Sequence, residues 1–239
     1  MTGPRHDVSR TRDWMREGTR FFLDHLGELA DDEFARPSLL SGWTRGHVIG
    51  HLARNAEALV RLVNWARTGV ETPMYADRAQ RAEEIEDSAR LPAVELRRAA
   101  TQTAGALEAA LDGLTGGQWA SQVRSALGRA IPAAEIPWMR VREVWLHTID
   151  IGNGAALEEL PPGVVDVLLD DVTATLSTKD GCPARTLAPP DRGRTWLLGV
   201  PGGERPVLTA PAALTVGWLT GRVPAAALPG DVPELPRWL

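Results

Sequence analysis

The 239-residue chain is poor in several residue types that carry common chemistries. Cys182 is its only cysteine, which excludes an intramolecular disulfide framework and agrees with a reducing compartment. It sits in a Gly-Cys-Pro turn with no flanking histidine, so it lacks the base that a catalytic thiol uses. Of the 26 basic residues only Lys179 is a lysine, and no long basic run offsets the formal net charge of -5. That excludes the clustered cations of a nucleic-acid footprint and leaves small molecules as the expected partners. No apolar run is long enough to span a bilayer, and Arg5, Asp7, Arg10, Arg12 and Asp13 interrupt any leader-like apolar core. A soluble, cytoplasmic protein is expected, working as a monomer without membrane or nucleic acid. No internal repeat is present, which excludes solenoids.

What the chain does have is helical periodicity. Trp14, Phe21, Phe22, Leu26 and Leu29 recur on one face of a first helix. Ser41-Gly42-Trp43-Thr44 then offers a capping hydroxyl for a second helix running to about Thr68, where Gly69 stops it. A loop with the only tyrosine, Tyr75, precedes helical sequence from 77 to 114, interrupted at Leu91-Pro92. Residues 118–131 read as a short hairpin-like excursion before helix resumes from Pro132 through Asn153. After Gly152-Asn153-Gly154 the texture changes to Gly, Pro and short apolar runs around one amphipathic helix at 164–176. Residues 194–200 and 206–210 read as two strands joined by a Pro201-Gly202-Gly203-Glu204 turn, followed by a helix at 211–220. The expected fold class is α+β: a four-helix bundle over residues 1–154 and a smaller α+β domain over 155–239.

Two helices each carry a pair of potential metal ligands at i,i+4 spacing, His47/His51 and Glu143/His147. An open catalytic site needs three protein ligands, which fits His51, Glu143 and His147 with His47 left over near its helix start. The plain alternative is that these are polar residues satisfied on half-buried helix faces, with Arg140 and Arg142 pairing Glu143 at the surface. Two histidines and a glutamate suit Zn²⁺ and also other divalent first-row ions.

The stretches 41–51 (SGWTRGHVIGH) and 138–147 (WMRVREVWLH) closely resemble the mycothiol-dependent maleylpyruvate isomerases, as do the 68–75 loop and the tail from Pro233. The resemblance implies a DinB-like bundle holding a divalent metal, usually zinc, through His51, Glu143 and His147. It implies a C-terminal domain resembling sterol-carrier folds and a catalytic arginine in a Gly-Arg step, here Gly221-Arg222. It further implies mycothiol as thiol cofactor and cis-trans isomerisation of maleylpyruvate to fumarylpyruvate in gentisate breakdown. The chemistry is coherent, because reversible thiolate addition removes the double bond that blocks rotation, while a metal favours the thiolate. A dicarboxylate substrate favours arginine clamps, with Arg81 as the substrate-binding candidate. Trp43, Trp138 and Trp145 are expected as core or pocket walls. Alternatives are a mycothiol S-transferase, a thiol-dependent isomerase of another conjugated acid, or a non-enzymatic ligand-binding protein stabilised by metal.

Overall fold

The computed structural model describes residues 3–238, and the chain divides into two compact units, Met1–Ala155 and Ala156–Leu239. The first contains α1 (Val8–Glu28), α2 (Arg45–Thr68), α3 (Arg78–Ala89), α4 (Ala93–Asp112) and α5 (Ile136–Ile151). The helix starts follow local chemistry. Asp7 accepts from the Arg10 amide at the head of α1, and Asp77 accepts from Gln80 at the head of α3. Gly69, at φ +74°, takes the left-handed conformation that ends α2.

The four long helices form a ring. α1 packs on α5, α5 on α2, and α2 on α4, whereas α4 touches α1 only lightly. The tight seams use glycine where backbones approach closely. A Cβ on Gly18 would stand 2.6 Å from the Trp145 indole nitrogen, and one on Gly50 would stand 2.6 Å from the Ser88 Cβ of α3. The core is continuous through Phe22, Ile49, Leu52, Leu59, Leu62, Leu107 and Trp138, each fully buried or nearly so. A leucine or phenylalanine taken fully out of water contributes about 1.5–3 kcal/mol.

Helix α5, packed between α1 and α2, is buried almost all round. Only Arg142, Glu143 and His147 are less than fully buried, so the helix carries one polar window in an otherwise apolar surface. Between α4 and α5 lies a two-stranded antiparallel hairpin, β1 (Gln122–Arg124) with β2 (Ala130–Pro132), which turns Val123 and Ile131 inward.

The second unit holds α6 (Pro162–Leu176), β3 (Arg185–Leu187), β4 (Trp196–Leu198), β5 (Val207–Leu208) and α7 (Ala212–Leu219). With the helices of the first unit this makes an α+β chain. The expected hairpin between the strands near 196 and 207 does not form. Strand β3 lies between them, antiparallel to β4 and parallel to β5. Gly199 ends β4 at φ +79°, against the Pro183 and Ala184 backbone, and the Arg205 guanidinium donates to Leu198 O. The chain is thereby carried around the edge rather than folded back on itself. Three-residue β3 has too little alternation to stand out in sequence, yet its Leu187 is fully buried.

Candidate metal centre

The site is assembled by the seam between α2 and α5. Thr44 caps α2 by accepting from the His47 amide, and the His47 ring closes the reciprocal bond to the Thr44 amide at 3.1 Å. His47 is therefore part of the helix start, with Glu86 3.5 Å from its other nitrogen. One turn further on, the same periodicity points His51 into the seam, where it is 3% exposed.

From α5, Glu143 and His147 meet it. His51 Nε2 lies 2.8 Å from Glu143 Oε2, and His147 Nε2 lies 3.3 Å from the same oxygen. The imidazole rings stand edge to face, centroids 4.8 Å apart. One ligand atom from each residue falls within 4.8 Å of the others, and this is the cluster of metal-ligating side chains found among the described residues. Two ligands at about 2.0–2.1 Å from a tetrahedral metal are about 3.3 Å apart. The residues present therefore fit a small divalent cation.

Protonation agrees with that fit at His51 and Glu143. Burial lowers the pKa of His51 despite the bond with Glu143, favouring the neutral imidazole. Burial would raise the Glu143 carboxyl, but the bonds from His147 and His51 prevail and hold it well below the usual carboxylate range. At His147 burial is outweighed by Asp150 and Glu143, and its pKa is raised. Buried Asp150 lies 2.8 Å from His147 Nδ1, one turn along α5. That contact fixes the ring and leaves Nε2 directed at the cluster, as outer carboxylates do for metal-bound histidines.

A family model described as the mycothiol maleylpyruvate isomerase N-terminal domain matches residues 15–152, which include the whole cluster. The chain belongs to this family. It is also similar to a crystal structure of the mycothiol-dependent maleylpyruvate isomerase, at 34% identity and a TM-score of 0.91, with 100% of each chain covered. A mutant of that enzyme, with one histidine replaced by alanine, matches over the same full lengths at 33% identity and a TM-score of 0.91. No curated protein sequence gives a significant match.

In this member of the isomerase family, further side chains surround the three candidate ligands. The Trp43 ring lies 5.6 Å from that of His51 and forms a wall, whereas Trp138 and Trp145 are core. Arg81, on α3, is half-buried, and its positive charge acts on both His51 and Tyr75. The Tyr75 loop is held by buried Met74, whose carbonyl accepts from Arg61. Burial, reinforced by the Glu143 and Glu84 carboxylates against the pull of Arg81, pushes the Tyr75 hydroxyl up to about 12.

Arg222 lies in the second unit, just after α7, and donates to the Thr220 carbonyl at 3.2 Å. Cys182, also there, has its thiol pKa raised by burial, the opposite of an activated nucleophile.

The sequence reading passed over Asp150 and gave Tyr75, noted as the only tyrosine, no role. The signals were available: a carboxylate at i+3 from His147, and a single tyrosine just ahead of Arg81. The plain alternative, in which Arg140 pairs Glu143 at the surface, does not hold for Arg140: it is 1% exposed, with its Nη1 donating to Leu52 O and Asn55 Oδ1 on α2. Helical side chains lean toward the helix N-terminus, which carries Arg140 away from Glu143 and across the seam.

Proposed function

We propose that the protein is a mycothiol-dependent cis-trans isomerase converting maleylpyruvate to fumarylpyruvate, with His51, Glu143 and His147 holding a divalent cation, zinc by preference. The convergence of those three side chains, in a chain matching the isomerase over its full length, carries this reading. When bound, the cation lowers the pKa of a coordinated thiol, so mycothiol is presented as the thiolate whose reversible addition to the alkene allows rotation. The chain's own residues set up the rest. Glu143 stays ionised and His51 neutral, the protonation states in which both are ligands. Asp150 orients His147. Arg81 receives a substrate carboxylate, and Tyr75, protonated throughout the neutral range, donates its O–H to an oxygen that gains charge as the alkene is attacked. Arg222 is assigned as a catalytic residue.

On this reading residues 1–154 form the metal-binding bundle and 155–239 a sterol-carrier-like domain. The enzyme acts in the cytoplasm as a monomer, in gentisate breakdown. Two histidines and one carboxylate make a donor set suited to zinc that leaves coordination positions for thiol and substrate.

The test combines metal analysis with turnover of maleylpyruvate in the presence and absence of mycothiol. The expected result is about one zinc per chain, thiol-dependent turnover, and thiol recovered unchanged. Equal rates with and without thiol, or activity indifferent to chelation, would overturn the proposal. Stoichiometric thiol consumption would make the protein an S-transferase instead.

A further inference from the structure

We propose that the cleft between α1 and α4 is a second ligand site, taking the carboxylate of a small amphipathic acid against Arg140. None of its lining residues is a candidate metal ligand, and octanoate binding there is read independently of the isomerase reading. The ring of helices has one loose seam, α1 against α4. At one end that seam is stitched by Arg12 and Arg16 of α1 to Glu108 of α4, with Arg12 also reaching Asp112. Beside this lies a cavity of about 420 Å³, within the range of about 300–1,000 Å³ typical of small-molecule sites. Met15, Leu23, Ala104 and Leu107 give it mainly apolar walls. Its lining residue from outside α1 and α4 is Arg140, reaching in from α5. Since Arg140 is 1% exposed, it forms the inner end of the cleft.

Arg140 Nη1 is committed to Leu52 O and Asn55 Oδ1. Nε and Nη2 are buried and have no hydrogen-bond partner among the described residues. These two nitrogens form one edge of the guanidinium, a pair of parallel N–H donors spaced for the two oxygens of a carboxylate. The Glu143 charge acts on Arg140 without a hydrogen bond to it, so this buried edge keeps its unmet hydrogen-bonding cost, and Arg140 lines the cleft where a ligand carboxylate can meet it. The apolar walls select an aliphatic or aromatic body behind the headgroup, and Glu108 does not repel the anion because Arg12 and Arg16 neutralise it.

Octanoate serves as the probe and octanol, of the same length without charge, as its control. Calorimetric titration into the metal-loaded protein is expected to show octanoate binding at least tenfold tighter than octanol. Gly105 lines the cavity, and a Cβ built there meets nothing within 4 Å, so Gly105→Leu fills the cleft without disturbing the fold. That variant is expected to lose octanoate binding at least tenfold while turning over substrate normally, and Arg140→Met to lose the preference for octanoate over octanol. Equal binding of the two probes overturns the proposal, as does no binding at millimolar concentration. Octanoate binding that persists in Gly105→Leu and vanishes on chelation assigns the probe to the metal site and likewise overturns it. Gly105→Leu keeps the test decisive should Arg140→Met fail to fold.

Discussion

Glu143 and Arg140 stand one turn apart on α5, both charged and both turned into the bundle, yet their surroundings differ. Glu143 meets two histidines across and along the α2 seam, and those bonds hold it ionised although burial opposes this. Arg140 has neutral acceptors on one nitrogen only, and burial brings its pKa down to about 10, still charged at neutral pH. Across the same seam, Glu143 has both of its charge partners in hydrogen-bond reach. Arg140 feels the Glu143 charge but leaves Nε and Nη2 without a hydrogen-bond partner among the described residues. The contrast teaches that burial of a charged group is uninformative until its partners are counted, because the same helix face holds a closed network and an open one.

The largest effect expected from breaking the first seam comes with Glu143→Ala or His51→Ala. Metal content should fall from about one per chain to near zero and turnover should disappear, while circular dichroism stays close to the parent. Loss of helix together with the metal would mark the cation as structural rather than catalytic. Asp150→Asn keeps the three ligands and removes the carboxylate that orients His147. Chelator competition should show metal affinity about 10–100-fold weaker, and an unchanged affinity would assign Asp150 to packing alone.

A third buried charge, Glu135 just ahead of α5, calibrates the pair. Arg129 and His6 bond to it and Arg5 lies near, and together they outweigh burial and lower its pKa from 4.5. With the folded pKa below the unfolded one, its contribution is fully present above about pH 4.5. It is lost as pH falls through the folded value. Glu135→Gln should therefore lower stability by about 1–3 kcal/mol in urea titrations at pH 7 and flatten the decline on acidification. A parallel decline in parent and variant would show that the network adds nothing. The smallest change is expected from Arg140→Met. Losing a buried cation with an unpartnered edge offsets the lost hydrogen bonds, so the unfolding free energy from urea titration should stay within about 1 kcal/mol of the parent or rise. A fall of about 3 kcal/mol or more would mean that Arg140 is already fully partnered.

Much of the bundle was legible because its signals are local. Apolar spacing, Thr44 as a cap, Gly69 as a stop and Pro92 as a restart mark helix boundaries that the structure places within a few residues. The i,i+4 pairs were legible for the same reason. His47 was separated from His51 only by its position near a cap, and the structure supplies its role there. The β3 strand was missed because three residues carry no periodicity, and a strand that pairs with segments nine or more residues away leaves no local trace.

The sequence by itself determined the helices and which side chains share a helix face, since 3.6-residue periodicity and terminal capping depend on neighbours within a few positions. Only the tertiary structure decided that His51 reaches Glu143 across 92 residues of chain, that Asp150 holds His147, and that Arg140 turns inward beside a cleft. Those outcomes depend on which seams of the ring close tightly, a property of all four helices packed together rather than of any one segment.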